Sequence, residues 1–80
     1  MQSVRVRLFA AAREAAGTSE TTVDATTVGE VLDGLAARFE GLGPVLTRCS
    51  VLVDGTRTTD RSVVIPIDTP VDVLPPFAGG

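Results

Sequence analysis

The chain has 80 residues, 44% of them hydrophobic and 21% charged, which is enough for one small core and too little for a second domain. It contains no His, Trp, Tyr or Lys and a single Cys, so it can build neither a Ser-His-Asp or Cys-His nucleophile pair nor an ordinary zinc site. Its formal net charge of −3 argues against nucleic acid, whose binders carry a basic face.

Residues 4–9 set Val4, Val6 and Leu8 against Arg5, Arg7 and Phe9, the period of two of a half-buried strand. Residues 10–16 are helix formers that stop at Gly17, a residue suited to the left-handed position after a helix end, so a short helical turn follows. Residues 21–24 alternate weakly and predict a second strand, at a sheet edge. Thr27 and Glu30 stand at the capping-box spacing and open the main helix at Val28. Its apolar residues Val28, Val31, Leu32, Leu35 and Phe39 make one stripe, and Gly41, Gly43 and Pro44 are expected to end it after Glu40.

Residues 50–53 are apolar and β-branched, and Asp54-Gly55 favours the type I′ turn of a hairpin that returns over 56–58. Residues 63–67 are apolar but interrupted by Pro66, which predicts an irregular or edge segment. A last strand spans 71–74, and Pro75-Pro76 ends it by removing two consecutive N–H groups.

One amphipathic helix among five strands must cover one face of a mixed sheet. The simplest such packing is an α+β β-grasp, with the first and last strands as parallel central neighbours and the helix over Val4, Val6, Leu8, Val51, Val53, Val71 and Val73. A ferredoxin-like layer would need a second long helix, and the periodicity offers none. Residues 1–74 are assigned to the domain and 75–80 to a flexible tail. Parallel first and last strands would end together, placing an outward Phe9 beside Leu74 and the tail root at Phe77, with Arg5, Arg7 and Arg57 around this apolar patch. The alternative is a Phe9 turned into the core.

The remaining candidates have plain readings. Gly41-Leu42-Gly43 follows a helix and precedes Pro44, so it reads as a terminator and not as a dinucleotide loop. Cys49 reads as core packing, and the glutamates as solvated surface. Arg5 and Arg7 form either a solvated row or a partner contact. Arg5, Arg7, Arg13 and Glu14 break up any leader-like apolar run, and no stretch approaches the roughly 20 apolar residues of a membrane span. A cytoplasmic domain with protein partners is the expectation.

The informative segment is Leu74-Pro75-Pro76-Phe77-Ala78-Gly79-Gly80. A stiff Pro pair lowers the entropy lost on binding, and the last three residues have little or no side chain. Six residues at about 3.3 Å each reach roughly 20 Å, far enough to carry a terminal carboxylate through a narrow channel into a partner's active site. A frayed end is the plain alternative.

Val6-Arg7-Leu8-Phe9-Ala10 leading into Ala12-Arg13-Glu14-Ala15-Ala16-Gly17, Thr27-Val28 at the helix start, Val53-Asp54, and Leu74-Pro75-Pro76 with Gly79-Gly80 resemble the MoaD family, the ubiquitin-like sulfur-carrier subunit of molybdopterin synthase. Two positions depart from it: Ile67-Asp68-Thr69-Pro70 replaces an Asp-Gly-Asp turn, and Phe77 stands where Val is common. The resemblance implies that an E1-like activating enzyme uses ATP to adenylate Gly80, and that a sulfurtransferase or cysteine desulfurase supplies sulfur for a terminal thiocarboxylate. The large synthase subunit would then take that sulfur for a pterin precursor of molybdenum cofactor, with Gly79 and Ala78 threading its channel. No cofactor would be bound permanently, and no nucleic acid or membrane is implied. Three alternatives stand beside it: a carrier for thiamine or cysteine synthesis, a ubiquitin-like modifier, and a binding module with no chemistry at its tail. The Ala-Arg-Glu segment favours the pterin pathway over thiamine carriers, and the absence of Lys excludes Lys-linked chains of this protein with itself.

Overall fold

The alternation of the first segment is realised as β1 (Gln2–Leu8), in which Val4, Val6 and Leu8 are buried and Ser3, Arg5 and Arg7 are exposed. The computed structural model describes residues 2–75. After β1 come α1 (Ala10–Ala16), β2 (Glu20–Ala25), α2 (Val28–Arg38), α3 (Gly43–Leu46), β3 (Ser50–Val53), β4 (Thr56–Thr58) and β5 (Val71–Leu74). The strands form one sheet in the order β2-β1-β5-β3-β4. β1 and β5 are parallel, with Leu8 opposite Val73, and every other neighbouring pair is antiparallel. This is the expected β-grasp: a mixed sheet with its main helix on one face.

The seven inward residues named from the sequence are all buried, and Val28, Val31 and Leu35 of α2 are buried against them. Fully burying each such side chain contributes about 1.5–3 kcal/mol, so the stripe on α2 and the period of two in the strands are two readings of one core. The approach of α2 to the edge strand is close. A Cβ on Gly34 would stand 2.5 Å from Cγ1 of Val23, so only glycine fits there without movement.

Every amide that a helix leaves without an internal partner at its first turn has one in α2. The Val28 and Gly29 amides donate to the carbonyls of Val63 and Arg61, at 3.0 and 2.9 Å, while the Glu30 amide donates to the Thr27 hydroxyl at 3.3 Å. The Glu30 carboxylate accepts in return from the amides of Thr26 and Thr27, at 2.8 and 3.1 Å, completing the predicted capping box. In the β3–β4 hairpin Asp54 and Gly55 have φ of 49° and 80°, the two left-handed residues that a type I′ turn requires. Gly17 closes α1 at φ 76°.

Among the differences from the sequence reading, three have a local cause. β1 stops at Leu8, because Phe9 is already the extended cap of α1. α2 ends at Arg38 and not at Glu40, since Phe39 turns to φ −116° and ψ 105° and packs against the core. Gly43 and Pro44 start α3 instead of only ending α2: Pro needs no N–H in a first turn, and the turn buries Leu46. Residues 63–67 are irregular, as expected, apart from a bridge between Thr27 and Val64; within them Ile65 is buried, its amide donating to the Thr26 carbonyl and its carbonyl accepting from Gln2. Pro66 lies outside those bonds and does not keep its neighbour from the core.

Candidate functional site

With α2 on one face, the other face of the sheet is uncovered by any described element. One cross-strand row runs through it: Glu20, Arg7, Asp72, Leu52 and Arg57, each opposite the next in register. Its centre is a two-pronged ion pair, with Nε of Arg7 2.5 Å from Oδ1 of Asp72 and Nη2 3.0 Å from Oδ2. Asp72 is 8% exposed, and the bonds and charge that it offers push the Arg7 guanidinium further above its ordinary value. The pair joins the two parallel central strands, a join that no turn supplies.

Beyond this row the two strands finish together. Leu8 stands opposite Val73, and Leu74 opposite Ser50, so Phe9 and Leu74 leave the sheet at the same end. Phe9 is 41% exposed and Leu74 is half-buried. The next residue, Ala10, takes φ 51°, a left-handed bend uncommon for alanine that turns the chain into α1 while Phe9 stays extended.

The three arginines expected around the patch are dispersed. Arg7 is committed to Asp72, Arg57 lies on the outermost strand β4, and Arg5 faces Thr22 of β2, so β5 and β3 separate Arg5 from Arg57. Phe77, Ala78, Gly79 and Gly80 lie outside the described residues. Sequence reasoning missed Asp72 and Leu52, which occupy the centre of the row. The available signal was the outward position of Asp72 in Val-Asp-Val-Leu, which becomes informative once β1 and β5 are known to be parallel.

The opposite face carries a groove of about 340 Å³ lined by Val28, Leu32, Ala36, Leu46, Cys49 and Val51. Its charged residues are already spoken for: Nη2 of Arg61 donates to both carboxylate oxygens of Asp33 at 2.8 Å. The Cys49 thiol donates to the Val45 carbonyl at 3.3 Å, and burial pushes it up from its ordinary value, which favours the protonated thiol at neutral pH. Among the described residues no group of three or more His, Cys, Asp or Glu is placed to hold a metal.

The sequence matches the model of the ThiS family over residues 6–80. The chain belongs to the ThiS family. No curated protein matches it, but solved structures do. The small archaeal modifier protein 1 of Methanosarcina acetivorans is 27% identical with a TM-score of 0.84, covering 100% of this chain and 98% of that one. That of Haloferax volcanii is 27% identical with a TM-score of 0.81, covering 99% and 100%. A chain in the complex of subunits 1 and 2 of the molybdopterin-converting factor from Helicobacter pylori is 20% identical with a TM-score of 0.72, covering 99% and 100%, and shares the fold. This ThiS-family chain is therefore a ubiquitin-like β-grasp, of the kind used by sulfur carriers and by protein modifiers. No helix of its described residues is long and apolar enough to cross a membrane.

Proposed function

We propose that this ThiS-family protein is a sulfur carrier that acts through the carboxyl of Gly80 and serves as the small subunit of a molybdopterin synthase. The observation that carries the reading is the parallel β1–β5 pairing, which brings Leu74, and with it the start of the Pro75–Gly80 segment, to the same end of the sheet as Phe9. A carboxylate is a poor electrophile. An activating enzyme would transfer AMP from ATP to the Gly80 carboxylate, releasing pyrophosphate; the terminal sulfur of a persulfide on a sulfurtransferase or cysteine desulfurase would displace the AMP to give an acyl disulfide, and a thiol of a partner would cleave its S–S bond, leaving the Gly80 thiocarboxylate and a disulfide on the partners. Gly79 and Ala78 give this end the slimness to enter an active site, where the thiocarboxylate sulfur acts as the nucleophile. The chain has no His to act as base, and this reading assigns the acid–base work to its partners. The H. pylori complex of two converting-factor subunits supports a large subunit as one of them.

A second reading has its own support: the modifier proteins of M. acetivorans and H. volcanii have the same fold at higher identity. There the acyl group of the Gly80 adenylate would be transferred to an amine of another protein, forming an amide bond and releasing AMP. One experiment separates the two. The chain is incubated with ATP, an activating enzyme and a sulfur donor, its intact mass is measured, and the product is given to a synthase large subunit with the pterin precursor. The carrier reading expects a mass gain equal to the exchange of one oxygen for sulfur, followed by pterin conversion. Conjugates to other proteins without pterin conversion would support the modifier reading instead, and a chain extended past Gly80 should be inert in either.

A further inference from the structure

A sheet of five strands has two edges, and in this fold the longer is β2, six residues that pair on one side only. Which of its backbone groups face outward follows from the ladder. The Leu8 amide bonds the Ser19 carbonyl at 2.9 Å, and bonded pairs recur every second residue in an antiparallel register, so Val6–Thr21, Val4–Val23 and Gln2–Ala25 are the bonded pairs. The amides and carbonyls of Glu20, Thr22 and Asp24 therefore point away from β1, where an unpaired edge accepts another strand.

Side chains already occupy half of them. The Thr18 hydroxyl donates to the Glu20 carbonyl at 3.0 Å and accepts from the Glu20 amide at 3.4 Å. Arg38, in the last turn of α2, reaches round the edge: its Nη1 donates to the Thr22 carbonyl at 2.7 Å and to the Thr21 hydroxyl at 3.1 Å. Among the described residues, the Thr22 amide and the two groups of Asp24 are what remains open. Charge adds a second obstacle. In a symmetric antiparallel pairing of two copies about Thr22, Glu20 of each would oppose Asp24 of the other, and like charges directly opposite are destabilising.

We propose that β2 is a latent pairing surface for a second copy of this chain, held closed by Thr18 and Arg38 and by the acidic pair Glu20 and Asp24. The caps satisfy the groups that a new strand would need, so pairing first requires breaking three of the chain's own hydrogen bonds. Closing this edge leaves the open face and the Phe9–Leu74 end as the surfaces free for partners.

Sedimentation equilibrium on the full chain tests this, with folding followed by circular dichroism. The wild-type protein and the double variant Glu20→Thr/Asp24→Thr, which retains both caps, are expected to stay monomeric at millimolar concentration. Adding Thr18→Ala and Arg38→Ala should double the mass, and adding Thr22→Pro, which removes the open amide, should return it to that of a monomer. Arg38→Met in the Glu20→Thr/Asp24→Thr background keeps the aliphatic stem and the fold, and should show a weaker, concentration-dependent form of the same association, localised to β2 by amide chemical shifts. A monomeric four-residue variant, or no concentration dependence when Arg38→Met is added to Glu20→Thr/Asp24→Thr, overturns the proposal. So does a dimer that survives Thr22→Pro, or equal dimerisation with the caps intact.

Discussion

Arg7 and Asp72 illustrate how unequal the two halves of an ion pair can be. The Arg7 side chain is 47% exposed and that of Asp72 12%, so removing the arginine leaves a nearly buried carboxylate without a partner, whereas removing the carboxylate leaves a guanidinium that water can reach. The cost of an abandoned polar group is the desolvation that it can no longer offset, about 1–3 kcal/mol and more for a charge. Arg7→Leu is therefore expected to destabilise the fold, and Asp72→Asn, whose amide oxygen still accepts from Arg7, to do so by clearly less. Replacing both by leucine should recover part of the loss, because an apolar pair strands no charge. Urea denaturation of the three variants measures the order; equal costs for the two single changes would show that the pair is screened like an ordinary surface contact. The sequence displayed Arg7 as an outward residue but not its partner, since 65 positions separate the two and only the parallel pairing of β1 with β5 brings them together.

Helix α2 carries the opposite lesson, because most of what forms it is local. Thr27 and Glu30 announce its start, and its stripe faces the strands whose alternation announces them. What its sequence does not show is how close it lies to β2. Alanine is the better helix former at Gly34 by about 1 kcal/mol, but its Cβ would meet Val23 at 2.5 Å, and overpacking a tight core costs typically about 1–3 kcal/mol. Gly34→Ala is therefore expected to lower the thermal midpoint, and the double variant Gly34→Ala/Val23→Ala to lie above the sum of its single changes. A Gly34→Ala protein more stable than wild type would mean that the helix can move away at little cost. The features that the sequence does not announce share one physical cause. Ile65 is held by bonds to Thr26 and Gln2, the 61–63 segment gives its carbonyls to the α2 amides, and α3 exists because Leu46 has a core to enter. In each case the order comes from residues distant in sequence, so no local pattern announces it.

At the level of the domain the two sheet faces are unequal, and so are its two ends. One face is covered by α2, and the other bears the charged row on Arg7 and Asp72; one end presents Phe9 and Leu74 where β1 and β5 finish, and near the start of β1 lie Val64 and Ile67, 64% and 78% exposed. Apolar exposure alone therefore does not distinguish the ends. The proposed Gly80 chemistry does, because the segment that carries it leaves from Leu74, and the same segment must be presented first to an activating enzyme and then to a synthase subunit. The simplest way to serve both is one shared docking root, with Phe9 as its exposed anchor. Phe9→Asp is then expected to weaken binding to both partners at least tenfold, about 1.4 kcal/mol, with an unchanged circular dichroism spectrum and denaturation midpoint. Leu74→Asp should do the same at some cost in stability, since Leu74 is half-buried, while Val64→Asp, near the start of β1, should leave both affinities unchanged. Calorimetric titration of each variant against each partner decides the matter. A loss confined to one partner would divide the root into two surfaces, and an effect of Val64→Asp equal to that of Phe9→Asp would move the docking site away from the end where the Gly80 segment begins.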